Sequence, residues 1–290
     1  MGEPGFERVT FSSSAGPLVA RAAGPREGEA VLLLHGFPEF WYAWRKQIPA
    51  LVDAGYRVIA LDQRGYNESA KPERQRDYAL AELAADCVAV ADGLQREKIH
   101  LVGHDWGGIV AWDVAVRHPE RLGKMVILNA PHPAVARKYL TTSLRQVLRS
   151  WYIFFFQLPG LPEKLFTADH FAAGIRSLTM TSKPGAFTAE DLEQYRAAWA
   201  QPGAPRAMIN WYRALARYST RTDLVEHQVQ VPTRILWGVG DGFLLREQAK
   251  DSLRLCTDGD LVEFPDATHW LHHEQPERVN AALLEHLQKR

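Results

Sequence analysis

Ile99-His100-Leu101-Val102-Gly103-His104-Asp105-Trp106-Gly107-Gly108-Ile109-Val110-Ala111-Trp112 is the stretch that decides the fold. Its first four residues are a compact apolar run of the kind buried in a sheet, and Gly107 onward reads as the start of a helix. Gly103 and Gly107 flank a carboxylate, so strand, sharp turn and helix follow one another with small residues on either side of Asp105. A side chain on such a turn stands exposed at the end of its strand. A carboxylate there can form an ester through the protein's own side chain, which a serine at the same turn would do with its hydroxyl.

Working outward, Glu7 to Phe11 and Pro17 to Arg21 are short β-rich runs separated by Ser12-Ser13-Ser14-Ala15-Gly16, a hairpin-like antiparallel edge. Ala30–Leu34, Arg57–Leu61, Ile99–Val102 and Lys124–Leu128 are buried-type strands, spaced by segments long enough for crossover helices. Thr233–Trp237 and Leu261–Phe264 add two more near the C-terminus. Such alternation predicts an α/β fold: an eight-stranded, mostly parallel sheet with helices on both faces. Between Ala134 and Arg221 the pattern changes to Trp, Tyr, Phe and helix formers without an alternating strand run. The expected organisation is thus a core of residues 1–133 and 222–290, interrupted by a helical cap of residues 134–221.

A length of 290 residues fits one such core with an insertion. Lys+Arg and Asp+Glu balance at 34 each, so nothing in the global charge recommends nucleic acid or an anionic membrane as a partner. Cys87 and Cys256 are too few and too far apart for a disulfide framework or a metal-ligand spacing, so the expectation is a reducing cytoplasm. Met1 to Phe6 carry no export or myristoylation pattern, and the apolar run Trp151 to Phe156 is far too short to span a bilayer. A soluble protein acting on a small neutral molecule is expected, with no metal or organic cofactor. A homodimer is left open.

In an open parallel sheet, ligands bind beyond the carboxyl ends of the strands. Four loops there carry suggestive residues: His35-Gly36-Phe37-Pro38, Asp105, Gly238-Val239-Gly240-Asp241, and Asp266-Ala267-Thr268-His269-Trp270. A single Asp or His in a loop is usually a turn or surface residue. Nucleophile, acid and histidine in that chain order, each after a strand, are the pattern of nucleophilic catalysis. Asp266 lies three residues before His269 and reads as a turn residue, which leaves Asp241 as the acid. Asn129, after the strand ending at Leu128, occupies the other loop where an acid could stand and cannot act as one.

The chain resembles the epoxide hydrolases of the α/β-hydrolase superfamily through nearly its whole length. The resemblance rests on His35-Gly36-Phe37-Pro38-Glu39-Phe40-Trp41, Asp62-Gln63-Arg64-Gly65-Tyr66, Gly103-His104-Asp105-Trp106-Gly107-Gly108, Asn210-Trp211-Tyr212-Arg213 and His269-Trp270. Asn67 departs from the glycine common in the family after Arg-Gly-Tyr, but asparagine tolerates positive φ better than most residues. The resemblance implies an epoxide substrate opened to a vicinal diol through an ester on Asp105, which water activated by His269 and Asp241 then hydrolyses. It implies oxyanion donors at the Phe37 and Trp106 amides, a cis peptide before Pro38, and proton donation to the opened epoxide by Tyr152 and Tyr212. Tyr139, Tyr195 and Tyr218 are the competing tyrosines. Phe37, Trp106, Trp41 and Trp270 are expected to line an apolar pocket, although large rings more often serve only as core. His272 and His273, next to the proposed base, read as solvated loop residues ahead of the alternative, groups that support that base from behind.

A haloalkane dehalogenase would share the Asp-Trp-Gly turn, but Phe37 takes the place of its halide-binding Asn. A fluoroacetate dehalogenase is disfavoured, since Trp106 replaces the arginine those enzymes carry beside the nucleophile. A ligand-binding protein of this fold that has lost catalysis is the third reading; intact Asp105, Asp241 and His269 argue against it.

Overall fold

The computed structural model describes residues 5–219 and 227–289. Eight strands form one sheet: β1 (Glu7–Ser13), β2 (Gly16–Ala23), β3 (Ala30–Leu34), β4 (Arg57–Leu61), β5 (Ile99–His104), β6 (Leu122–Leu128), β7 (Thr233–Gly238) and β8 (Gly259–Phe264). Their order is β1-β2-β4-β3-β5-β6-β7-β8. β1 and β2 pair antiparallel, as do β2 and β4, and every pair from β4 onward is parallel. The expected hairpin loop is shorter than Ser12 to Gly16, because pairing continues to Ser13 opposite Gly16. Gly16 adopts φ of 113°, and the Ser13 hydroxyl accepts from the Ala15 amide, so two residues suffice for the turn.

Helices cover both faces. α1 (Ile48–Asp53) and α12 (Pro276–Gln288) lie against Val31, Leu33, Val58, Val102 and Val126. α2 (Leu80–Gly93), α3 (Trp106–Arg117) and α10 (Glu247–Leu253) pack on the other face, where Leu32, Leu34, Ile59, Leu101 and Ile127 point. Successive strand residues therefore feed opposite clusters, which is why these strands read as unbroken apolar runs.

Between β6 and β7 the chain is helical: α4 (Pro133–Thr142), α5 (Leu144–Arg149), α6 (Trp151–Phe155), α7 (Leu161–Thr181), α8 (Ala189–Trp199) and α9 (Ala204–Tyr218). Arg221, the expected end of this segment, lies outside the described residues. α4 belongs to the layer over the sheet, where it packs on α3 and α10 and the Tyr139 hydroxyl donates to Asp251 at 3.1 Å. α7 is kinked at residues 168–171, where Asp169, His170 and Phe171 all take positive φ. Donors on the later helices tie the insertion to the strand-end loops. Trp199 Nε1 donates to the Pro38 carbonyl and Trp211 Nε1 to that of Arg64; Arg149 Nη1 reaches the Asp241 carbonyl at 2.8 Å. Among the described residues, no helix is long and apolar enough to cross a membrane.

Candidate active site

Asp105 sits between β5 and α3 with φ of 50° and ψ of −119°, a conformation that costs a non-glycine residue on the order of 1–3 kcal/mol. The surroundings hold it there. The Asp105 amide donates to the Leu128 carbonyl at 3.1 Å, and a Cβ on Gly36 would come within 2.5 Å of Asp105 Cβ. Gly107 lies against the end of β3, with its Cβ position 2.2 Å from the Leu34 carbonyl oxygen. Glycine at these places lets the turn approach its neighbours closely enough to present the carboxylate.

The Phe37 amide donates to Asp105 Oδ1 at 2.9 Å. Trp106 is the first residue of α3, so its amide has no acceptor within the helix and is free by position to point at the same carboxylate. The Phe37–Pro38 peptide is cis. Asn67, the departure from the family pattern, takes φ of 40° and its side chain donates to Asp62.

On the other side of Asp105, His269 Nε2 lies 3.6 Å from Oδ2, while His269 Nδ1 is 2.8 Å from Asp241 Oδ2. Asp241 is anchored at all points: Oδ1 accepts from the Phe243 and Leu244 amides, and Oδ2 also accepts from Asn129 Nδ2. An ionised Asp241 and this spacing assign the proton on Nδ1. Burial alone would raise the Asp241 carboxyl, but the adjoining His269 and these donors hold it below its ordinary range. Burial would likewise lower the His269 imidazole; Asp241 and Asp105 outweigh it and push it up to about 10. The two carboxylates thus favour the imidazolium form of His269.

Asn129 is a residue whose part the sequence does not show. Its side chain bridges Asp241 and the backbone of Gly238, donating to the Gly238 carbonyl at 3.3 Å and accepting from its amide at 2.7 Å. It stands where an acid could stand and braces the acid of the next loop instead. Asp266, by contrast, is exposed.

Above Asp105 opens a cavity of about 580 Å³, lined among others by Phe37, Tyr152, Phe155, Leu165, Tyr212, Phe243, His269 and Trp270. The Tyr152 and Tyr212 rings meet edge to face, with centroids 5.9 Å apart. Burial and the negative charge of Asp105 raise both phenols, Tyr212 well above its ordinary value, so both are hydroxyl donors near neutral pH. The competing tyrosines lie elsewhere: Tyr139 bonds Asp251, Tyr195 donates to Glu39 at 2.8 Å, and Tyr218 is exposed.

Two of the expected pocket rings are not part of this lining. Trp41 follows the pocket loop in sequence, but the tight helical turn it begins carries it against Phe6 and under the Arg21 guanidinium. Trp106 packs against Tyr212 with ring centroids 5.0 Å apart.

A second correction concerns His272 and His273, which are buried rather than solvated. They surround Glu39, itself 1% exposed, together with His104 and Tyr195. Glu39 Oε1 accepts from Tyr195 and from His273 Nε2 at 2.7 Å, and Oε2 lies 3.0 Å from His104 Nδ1. Burial opposes its charge, but these histidines hold the Glu39 carboxyl well below the usual range. Burial keeps His272 neutral. His104 Nε2 also meets the His269 carbonyl at 2.9 Å, so the network reaches the backbone of the site histidine. Glu39, His272 and His273 are also the one group among the described residues that brings metal-ligand atoms together, within 4.8 Å of one another. Both Glu39 oxygens are already engaged by protein hydrogen-bond partners.

A parallel sheet offering carboxylate, histidine and acid beyond its carboxyl edge, beneath an apolar cavity closed by helices, defines a hydrolytic enzyme. Residues 29–276 match the α/β hydrolase fold family. The AB hydrolase superfamily protein YfhM of Bacillus subtilis is 45% identical over 92% of this chain and 92% of its own length. Epoxide hydrolase 4 of Mus musculus is 40% identical over 90% of this chain and 74% of its own. The crystal structure of Bacillus megaterium epoxide hydrolase in complex with an inhibitor superposes with a TM-score of 0.85 at 30% identity, covering 98% of this chain and all of that one. The chain belongs to the α/β-hydrolase family, alongside epoxide hydrolases.

Proposed function

We propose that the protein hydrolyses epoxides to vicinal diols through a covalent ester on Asp105, beneath a cap formed by α5 to α9. The observation that carries this reading is the convergence on one carboxylate: the Phe37 amide on Oδ1, His269 opposite Oδ2, and two tyrosines in the apolar cavity above.

In the first step an Asp105 oxygen forms a bond to an epoxide carbon, the carbon–oxygen bond of the ring breaks, and the departing oxygen takes a proton from Tyr152 or Tyr212. Esterification removes the charge of Asp105, and with it one of the two carboxylates that keep His269 protonated. The imidazolium then gives up its surplus proton, which restores the tyrosine, and His269 becomes a neutral base. It takes a proton from water as the hydroxide adds to the Asp105 carbonyl carbon. The Phe37 and Trp106 amides receive the negative charge that develops on oxygen. Collapse expels the diol oxygen, which takes the His269 proton, and the released Asp105 carboxyl passes its own proton to His269, which restores the carboxylate and the imidazolium. Asp241, braced by Asn129, stabilises the imidazolium throughout.

The dehalogenase alternative is weakened by Phe37, whose ring meets Tyr212 edge-on and offers a halide no donor. Single turnover of an aryl epoxide in heavy-oxygen water tests the ester route. The first diol carries no label, because its new oxygen comes from Asp105; label in that first diol overturns the mechanism. Halide release from bromoalkanes without diol formation from epoxides would select the dehalogenase instead.

A further inference from the structure

We infer that the rim of the active-site cavity is a docking surface for an anionic lipid bilayer, from which apolar substrate enters directly. The inference goes beyond the proposed reaction and does not depend on it. Leu148, Trp151, Leu165 and Met180 line the cavity and are also exposed, at 66%, 63%, 49% and 79%. Leu144, one turn before Leu148, and Phe154, one turn after Trp151, extend the apolar face outward at 74% and 56% exposure. Single exposed apolar residues are ordinary, but a set gathered round one opening marks an interaction site.

Two features select the occupant. A protein seated on this rim would seal the mouth of the cavity, whereas a bilayer covers the rim and is itself the phase where an apolar substrate accumulates. The charge agrees: Leu144 to Lys183 holds five basic residues and two acidic ones. Of those two, Glu163 is already paired with Arg213. Arg145, Lys164 and Arg176 are exposed; Arg145 lies 3.9 Å from Glu247, and Arg176 lines the mouth. Basic residues beside exposed Leu and Trp on short helices are the arrangement that holds a protein in the headgroup layer.

Sedimentation with vesicles of phosphatidylcholine and phosphatidylglycerol, compared with phosphatidylcholine alone, tests this on the full chain. The wild type is expected to pellet with the mixed vesicles, less so at high salt, with Trp fluorescence quenched by brominated lipid. The L144E/F154E variant changes exposed residues outside the cavity lining. It should lose binding by about tenfold or more while turning over a water-soluble epoxide at the wild-type rate. Wild-type protein left in the supernatant, or equal binding by the variant, overturns the proposal. So does a wild type that forms dimers and ignores vesicles, with a monomeric variant, since the rim would then be an interface between copies.

Discussion

The loops at the sheet edge and the helices above them solve opposite problems. Asp105, His269 and Asp241 are fixed by backbone contacts, close glycine approaches and hydrogen bonds that leave little freedom. Tyr152 sits on a helix of five residues whose neighbours Trp151 and Phe154 are exposed, with a kinked helix beside it. On the proposed reading, the first region holds the reacting atoms in a fixed relation and the second carries the groups that meet the substrate.

If that division is right, phenylalanine at both Tyr152 and Tyr212 should stop ring opening while leaving the sheet-edge groups intact. Epoxide turnover is expected to fall about 10³-fold or more, with Asp105 still alkylated by a substrate whose leaving group needs no proton. Rapid-quench kinetics checks this, and a near-wild-type rate would remove the tyrosines from the mechanism. The next largest effect tests the seam between the two regions. Glu39→Ala strands Tyr195, His104 and His273 in the interior and should cost about 3–5 kcal/mol, read as a lower urea midpoint. An unchanged midpoint would show that the seam bears no such energy.

Asn129→Ala should be milder, since Asp241 keeps two backbone donors. Loss of one hydrogen bond to a charged group corresponds to about a tenfold lower rate of ester hydrolysis, with ester formation unaffected. A last test concerns pH-dependent stability. The folded pKa of His269 is raised to about 10 from an ordinary 6.5. Its contribution is therefore complete below the unfolded value and disappears as pH rises through about 10. The stability difference between wild type and His269→Phe should shrink accordingly from pH 6 to 10, as followed by denaturant titration; a constant difference contradicts the charged pair.

The sheet and the position of its reactive loops were legible because both depend on local signals. Apolar runs bounded by glycine give β3, β4 and the turn at Asp105, and the closeness of the exposed Asp266 to His269 sets it apart from Asp241. What was not legible depends on distant partners. Nothing near His272 and His273 signals burial, because the carboxylate they surround is more than 200 residues earlier in the chain. Asn129 likewise shows its partner only when the loops after β6 and β7 lie side by side. Trp41 misleads for the converse reason: adjacency to the pocket loop in sequence does not survive a single tight turn.

Glu39 has a consequence for how the molecule is assembled. Its charge is compensated by groups from three separate stretches: the end of β5, the loop helix α11 (Leu271–Glu274), and α8 in the insertion. A chain in which the sheet has formed but α8 has not docked lacks the Tyr195 donor at this interior carboxylate. The interior carboxylate is thus fully hydrogen-bonded only when α8 is seated over the core.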